Sequence, residues 1–67
     1  MSMLKVIEVL AESPESFDQA AQNAVKNAAD SVRNIKSIYI KNMEAKVENG
    51  TITSYRINAK ITFELEG

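Results

Sequence analysis

The side chains available for chemistry in this 67-residue chain are limited, because it contains no histidine and no cysteine. General acid–base or nucleophilic catalysis would fall to carboxylates, Lys or Tyr, and no spacing in the chain places a nucleophile beside its base. Disulfides and the usual Cys/His zinc sites are excluded for the same reason. The sequence therefore predicts that the protein is not an enzyme.

Three cationic side chains, Lys41, Arg56 and Lys60, fall on one face of a predicted β-hairpin. Several like charges on one surface suit an anion such as a phosphate. The alternative is pairing with carboxylates such as Glu64 across a subunit contact, and the net charge of −1 favours it. On the same face, Ser37 can hydrogen-bond the edge of a ligand and Tyr39 offers an aromatic surface, although both also suit a subunit interface.

Acidic residues give a weaker signal for a metal. Calcium takes about 6 to 8 oxygen ligands, which need not be adjacent in sequence. No Asp-x-Asp-x-Asp-Gly loop is present, so the residues alone assign no metal ligands. The acids that could meet across symmetry axes are Glu44, Glu48, Glu64 and Glu66.

The element that positions these groups is the run Thr51–Leu65, in which apolar and polar residues alternate with period two. A strand of this length would span roughly 50 Å, which is far beyond a typical strand. A second strand is predicted over 35–47. Between them, Asn49 and Gly50 predict a two-residue type I′ turn.

Unbroken pairing from this turn predicts the cross-strand neighbours. A face with Ile35, Tyr39 and Met43 among polar residues is predicted opposite the core. The predicted pairs are Glu48–Thr51, Ile38–Ile61, Ile40–Ala59, Asn42–Ile57, Ser37–Thr62, Tyr39–Lys60, Lys41–Asn58 and Met43–Arg56.

Before the hairpin, Lys5–Leu10 reads as a short strand that is partly covered on both sides, and 11–15 reads as a break around Pro14. A helix is predicted over 16–32, with Ser16 and Gln19 as a capping box and an alanine-rich apolar stripe. A competing start is Ser13 with Pro14 at the first helical position.

A right-handed crossover puts the last strand between the other two and antiparallel to both. The fold class is α+β with β-α-β-β order, a three-stranded antiparallel sheet and one helix in a single domain, residues 1–67. A chain this small buries only about 60% of its unfolded surface, and its alanine stripe adds little apolar area. Self-association is therefore expected.

The composition of the chain argues against nucleic acid and membranes as partners. Eight Lys and Arg against nine Asp and Glu, without a basic tract, argue against nucleic acid. No apolar run approaches the roughly 20 residues of a membrane span, and the N-terminus lacks the features of a signal peptide. A cytoplasmic protein without a membrane partner is expected.

The combination of a short strand, a helix opened by SPESF and a hairpin ending in YRINAKITFEL resembles the dodecin family over nearly the whole chain. The resemblance implies a hollow homododecamer that binds and stores a flavin, FMN or riboflavin. Where flavin-binding members carry a stacking tryptophan and a hydrogen-bonding glutamine, this chain has Ser37 and Arg56. The run Tyr55–Ile57 is similar to the calcium-binding branch, which makes a flavin-free shell that binds calcium or other ions the alternative.

The expected ligand-binding residues follow from this resemblance and from the hairpin. Ser37 and Arg56 occupy the family's flavin positions, and Tyr39 and Lys60 lie on the same predicted face. Arg56 can donate hydrogen bonds but cannot accept them, so it cannot replace an amide, although it can stack on a ring or hold a phosphate.

Overall fold

The computed structural model describes residues 3–66. The remaining residues of the predicted domain 1–67, which are Met1, Ser2 and Gly67, lie outside the described residues. In chain order the elements are β1 (Met3–Ser13), α1 (Phe17–Ala29), β2 (Ile35–Glu48) and β3 (Thr51–Leu65), which confirms the predicted order. With 13 residues, the helix of the described chain lacks the length and apolar character needed to span a membrane.

The sheet has β3 at its centre, with β1 and β2 antiparallel to it on either side. This confirms the predicted three-stranded antiparallel sheet. Alternate side chains of β3 are buried toward α1, and we call this side of the sheet the helix face. The opposite side is called the open face. The core consists of Ala20, Ala24, Ile57, Ala59, Ile61 and Phe63.

The β2–β3 turn forms as the sequence predicts. Asn49 and Gly50 have positive φ angles of 51° and 75°, and Glu48 pairs with Thr51. Asn and Gly are the residues that adopt this left-handed backbone at least cost.

The register of the β2–β3 ribbon departs from unbroken pairing. One shift lies between Lys46 and Val47, and a second between Ile40 and Asn42 restores the original register. Pairs outside these two shifts are confirmed, namely Ser37–Thr62, Ile38–Ile61, Tyr39–Lys60 and Ile40–Ala59. Pairs between them were predicted wrongly: the observed ones are Asn42–Asn58, Met43–Ile57 and Glu44–Arg56 instead of Asn42–Ile57, Lys41–Asn58 and Met43–Arg56.

These irregularities also change which face some residues occupy, because a one-residue shift exchanges the two faces of a strand. Met43 pairs with Ile57. Ile35, which lies beyond a third shift between Ile35 and Ser37, pairs with Phe63, so both residues lie on the helix face and not on the open face as predicted. Glu44 takes the place beside Arg56 that the prediction gave to Met43.

The helix begins where its capping residue predicts. The Ser16 hydroxyl accepts a hydrogen bond from the Gln19 amide at 2.9 Å. The Gln19 side chain donates to Asn23 Oδ1 and does not return to Ser16, so only half of the capping box forms. The competing start is excluded, because Ser13 ends β1 and its hydroxyl accepts from the Glu15 amide.

The helix ends at Ala29, three residues before the predicted end at Val32. Asn34 has a positive φ of 62°, and its carbonyl accepts a hydrogen bond from the Glu64 amide at 3.0 Å. The chain must leave the helix early because it is attached to the end of β3 at this point.

Strand β1 is longer than the predicted Lys5–Leu10 and runs through most of the predicted break. Ala11, Glu12 and Ser13 continue the pairing with β3, and the strand ends only at the residue before Pro14. We predicted that both faces of this strand are partly covered, but within one chain only the helix face is. Ile7 and Val9 are half-buried on the helix face, whereas Val6 and Leu10 are 51% and 69% exposed on the open face.

The chain is elongated, with extents of 52 × 20 × 13 Å and a radius of gyration of 13.7 Å. A compact chain of this length would have a radius of gyration of about 11 Å. A 13-residue helix is only about 20 Å long. The helix therefore covers less than half of the ribbon's length.

We expect Gly50→Ala to destabilise the protein by about 1 kcal/mol, because alanine resists the positive φ at this position. A Cβ at Gly50 would meet no atom within 4 Å, so backbone strain is the only cost. Urea unfolding at fixed protomer concentration measures the change. Gly50→Asn is the control and should cost less, since Asn tolerates this conformation; an equal cost for both variants would contradict the argument.

Candidate functional site

The open face carries all four predicted ligand-binding residues, Ser37, Tyr39, Arg56 and Lys60. Each row across this face takes one residue from β1, one from β3 and one from β2. From one end to the other, the rows are Val6–Thr62–Ser37, Glu8–Lys60–Tyr39, Leu10–Asn58–Asn42 and Glu12–Arg56–Glu44.

Arg56 is held between carboxylates of both outer strands. Its Nε and Nη2 donate to Glu12 Oε1 at 2.8 and 2.6 Å, and its Nη1 donates to Glu44 Oε1 at 3.5 Å. The hydrogen bonds that Arg56 donates to Glu12, followed by the negative charge of Glu12, raise the pKa of Arg56 above its ordinary value. This guanidinium is thus already engaged by two anions of its own chain, which weakens it as a binder of a further anion.

The other open-face cations differ in how they are paired. Lys41 Nζ lies 3.7 Å from Glu8 Oε2, whereas Glu64 pairs with Lys36 at 3.5 Å. Pairing with carboxylates, which was predicted across subunits, thus occurs within the chain for Arg56 and Lys41. Among residues 3–66, Lys60 takes part in no ion pair.

The structure brings two of the predicted residues together and separates the others. Tyr39 lies directly opposite Lys60, and its side chain is exposed, with 65% of the residue surface accessible. Ser37 is one row away, opposite Thr62. Arg56 is six residues from Thr62 along β3, which is about 20 Å, so one chain cannot place Ser37 and Arg56 on the same small ligand.

Two depressions of the open face flank Arg56. One, of about 190 Å³, includes Glu12, Glu44 and Ser54 in its lining; the other, of about 350 Å³, includes Asn58. The Asn58 Oδ1 is buried and has no hydrogen-bond partner among the described residues. Ser37, Tyr39 and Lys60 line neither depression, and all three residues are exposed, so they lie on open surface.

The predicted acidic residues lie at opposite ends of the hairpin. Glu44 and Glu48 are toward the turn, whereas Glu64 and Glu66 are at the other end. Within residues 3–66, no group of three or more His, Cys, Asp or Glu side chains is placed to hold a metal ion. One chain therefore does not assemble a calcium site from these acids.

Sequence reasoning missed Glu8 and Glu12, which pair with Lys41 and Arg56. Both were obscured because β1 was predicted to end at Leu10. The alternation of Val6, Glu8, Leu10 and Glu12 on one face would have indicated them if the strand had been extended.

Comparisons with known proteins place the whole described chain in one group. The family model "Dodecin" matches residues 3–66. The calcium dodecin of Mycobacterium tuberculosis is 35% identical over 65 residues, which is 97% of this chain and 92% of the relative.

Solved structures agree with this match. A dodecin from Streptomyces coelicolor has a TM-score of 0.92 at 29% identity, covering 98% of this chain and 94% of that one. The crystal structure of the M. tuberculosis calcium dodecin, described as having a novel calcium-binding site, has a TM-score of 0.82 at 36% identity, with 97% and 93% covered.

Double-mutant cycles should show stronger coupling of Arg56 to Glu12 than to Glu44, since two short hydrogen bonds join the first pair and one long contact joins the second. The variants are Arg56→Met, Glu12→Gln and Glu44→Gln, with unfolding free energies from urea titration. Both couplings should shrink at high salt because the groups are exposed. Equal couplings, or couplings indifferent to salt, would contradict this geometry.

Proposed function

The chain belongs to the dodecin family, and from this premise we propose that it binds and stores a flavin, FMN or riboflavin, inside a homododecameric shell without catalysing a reaction. Proteins of the family form oligomeric assemblies and bind small molecules. The proposal for this member concerns the ligand, the number of subunits and the residues that hold the ligand.

The observation that carries the proposal is the adjacent pair Tyr39 and Lys60. Tyr39 exposes its aromatic ring on the open face, and Lys60 beside it has an ammonium group without an ion pair among the described residues. An aromatic ring can stack on the isoalloxazine of a flavin. An unpaired ammonium can bind the phosphate of FMN. Ring and charge are thus available side by side.

Tyr39 supplies the stacking that Ser37 cannot. Ser37 lies two residues away on the same face of β2, where its hydroxyl can hydrogen-bond the edge of the ring. Arg56 contributes in a different way: paired with Glu12 and Glu44, it is suited to contact the ligand of a neighbouring copy through the flat surface of its guanidinium.

A second copy is needed to complete the site. Tyr39 and Lys60 lie on an open surface, whereas small-molecule sites normally bury most of the ligand. Val6 and Leu10, which are exposed on the same face, provide apolar surface against which another copy can pack. We therefore place the flavin between subunits, with open faces turned toward the interior of the shell.

We expect Tyr39→Ala to weaken binding of both FMN and riboflavin by roughly fivefold, the loss of one stacking contact. Lys60→Met should weaken FMN by a similar factor and leave riboflavin unchanged, because only FMN carries the phosphate. Quenching of flavin fluorescence during titration measures both. Lys5→Met, which removes an exposed lysine on the helix face of β1, is the matched control and should change neither affinity.

A variant that is expected to bind flavin more tightly tests the same placement of the ligand. Ser37→Trp adds an aromatic ring one row from Tyr39 and should strengthen binding of both flavins. Unchanged flavin affinities in Tyr39→Ala and in Ser37→Trp would show that the flavin does not bind this part of the open face.

Calcium is the second candidate ligand, favoured by the 35% identity with a calcium dodecin. Because no chain assembles three acidic groups within residues 3–66, a calcium site would combine carboxylates from several copies. Metal binding would then stabilise the assembly.

If calcium is bound, the melting temperature should fall when EDTA is added and recover with excess calcium. Magnesium should not restore it, because magnesium requires near-ideal octahedral coordination, whereas calcium accepts a flexible set of oxygen ligands. Thermal denaturation at constant protein concentration measures the shift. A colourless protein with this response supports the calcium function, whereas a melting temperature indifferent to EDTA and calcium excludes it.

A further inference from the structure

The hairpin carries an apolar strip that its own helix does not cover. Met43, Val47 and Ile52 lie on the helix face and are 62%, 58% and 49% exposed. Val47 pairs with Ile52 closer to the turn than Tyr55, the residue against which Phe17 packs at the start of α1. We call these three residues the tip strip.

A complementary groove lies between β1 and α1. Its volume is about 640 Å³, and it is open because the helix presents alanines to the strand at this position. The apolar part of its lining is Ile7, Val9, Leu10 and Ala11 from β1, Ala24 and Ala28 from α1 and Val32 just after it, and polar side chains, including Glu12, Asn23 and Lys26, form the rest. We call it the β1–α1 groove.

The accessible surface area of the chain is larger than that expected for a compact monomer of the same mass. The accessible surface is 4996 Å², whereas a compact monomer of 7.4 kDa would expose about 4,200 Å². The excess of about 800 Å² equals the area that one partner buries in a protein–protein interface of standard size. One chain therefore exposes about one interface more than a globular chain of its mass.

We propose that the tip strip of one copy docks into the β1–α1 groove of the next copy. The strip is on the side of the sheet that packs against a helix, so the overhanging ribbon covers the neighbour's helix as its base covers its own. The strip cannot reach its own groove, because it belongs to the continuous β2–β3 ribbon. This inference specifies a contact within the self-assembly proposed above and depends on that assembly.

The contact joins two different surfaces, so each copy gives one tip and receives one. Such head-to-tail contacts close into rings when the rotation between copies allows it. Contact between two tip strips would bury three side chains on each copy and leave both grooves empty. The docked arrangement covers the strip and the groove at once.

The cysteine-free chain allows a direct test by disulfide cross-linking. Ile52→Cys places a thiol on the tip strip, and Ala28→Cys places one in the groove. Under mild oxidation the double variant should convert mainly to covalent multimers on a non-reducing gel, while each single variant stays at the monomer mass. The mismatched control combines Ile52→Cys with Gln22→Cys, which is exposed on α1 outside the groove lining and should not cross-link.

Each outcome decides between arrangements. Covalent dimers of the single Ile52→Cys variant would show contact between two tips and overturn the proposal. Equal cross-linking of the mismatched control would do the same, as would the absence of multimers from a double variant that elutes as the wild-type assembly. Selective multimers in a protein that binds no flavin would support the contact while removing the flavin function.

Discussion

The structure depends on the imbalance between a ribbon 52 Å long and a single helix of 13 residues. The helix packs closely because its core-facing residues are alanines: Ala20 and Ala59 of the facing strand are completely buried. Close packing of small residues brings the backbones together but removes little apolar surface from water, so the core is thin. The exposed apolar residues follow from this imbalance, since the helix is too short to cover the rest of the ribbon.

Local sequence patterns correctly predicted the structural features that depend on a few adjacent residues. The Asn49–Gly50 turn, the extent of β3 and the Ser16 cap each follow from a few adjacent residues, and the order of the strands follows from the handedness of the crossover. Features fixed by the partner strand were missed. The shifts around Thr53 and Lys41 leave no pattern in the sequence, yet the one at Thr53 decides that Glu44 and not Met43 stands beside Arg56.

The open face is largely neutralised within the chain. Arg56 and Lys41 are engaged by Glu12, Glu44 and Glu8. The charge that remains available is therefore at Lys60, beside an exposed aromatic ring. Family resemblance alone directs attention to Ser37 and Arg56, whereas the proposed flavin contact uses the row between them, one row from Ser37 and two rows from Arg56, where an exposed ring lies beside a lysine outside the ion pairs of the described residues. The sequence placed all four residues on one face, and the ion pairs seen in the structure separate Lys60 from Arg56.

The placement of the apolar residues links assembly to stability. Almost half of the chain is hydrophobic, but the described core contains only six residues. Apolar side chains that a globular monomer would bury are directed outward, at Leu4, Val6 and Leu10 on the open face and at the tip strip on the helix face. Burying them requires other copies, so the free energy of folding includes that of association and depends on protomer concentration. A ligand held between open faces would add to the same balance, because it binds only where copies have already met.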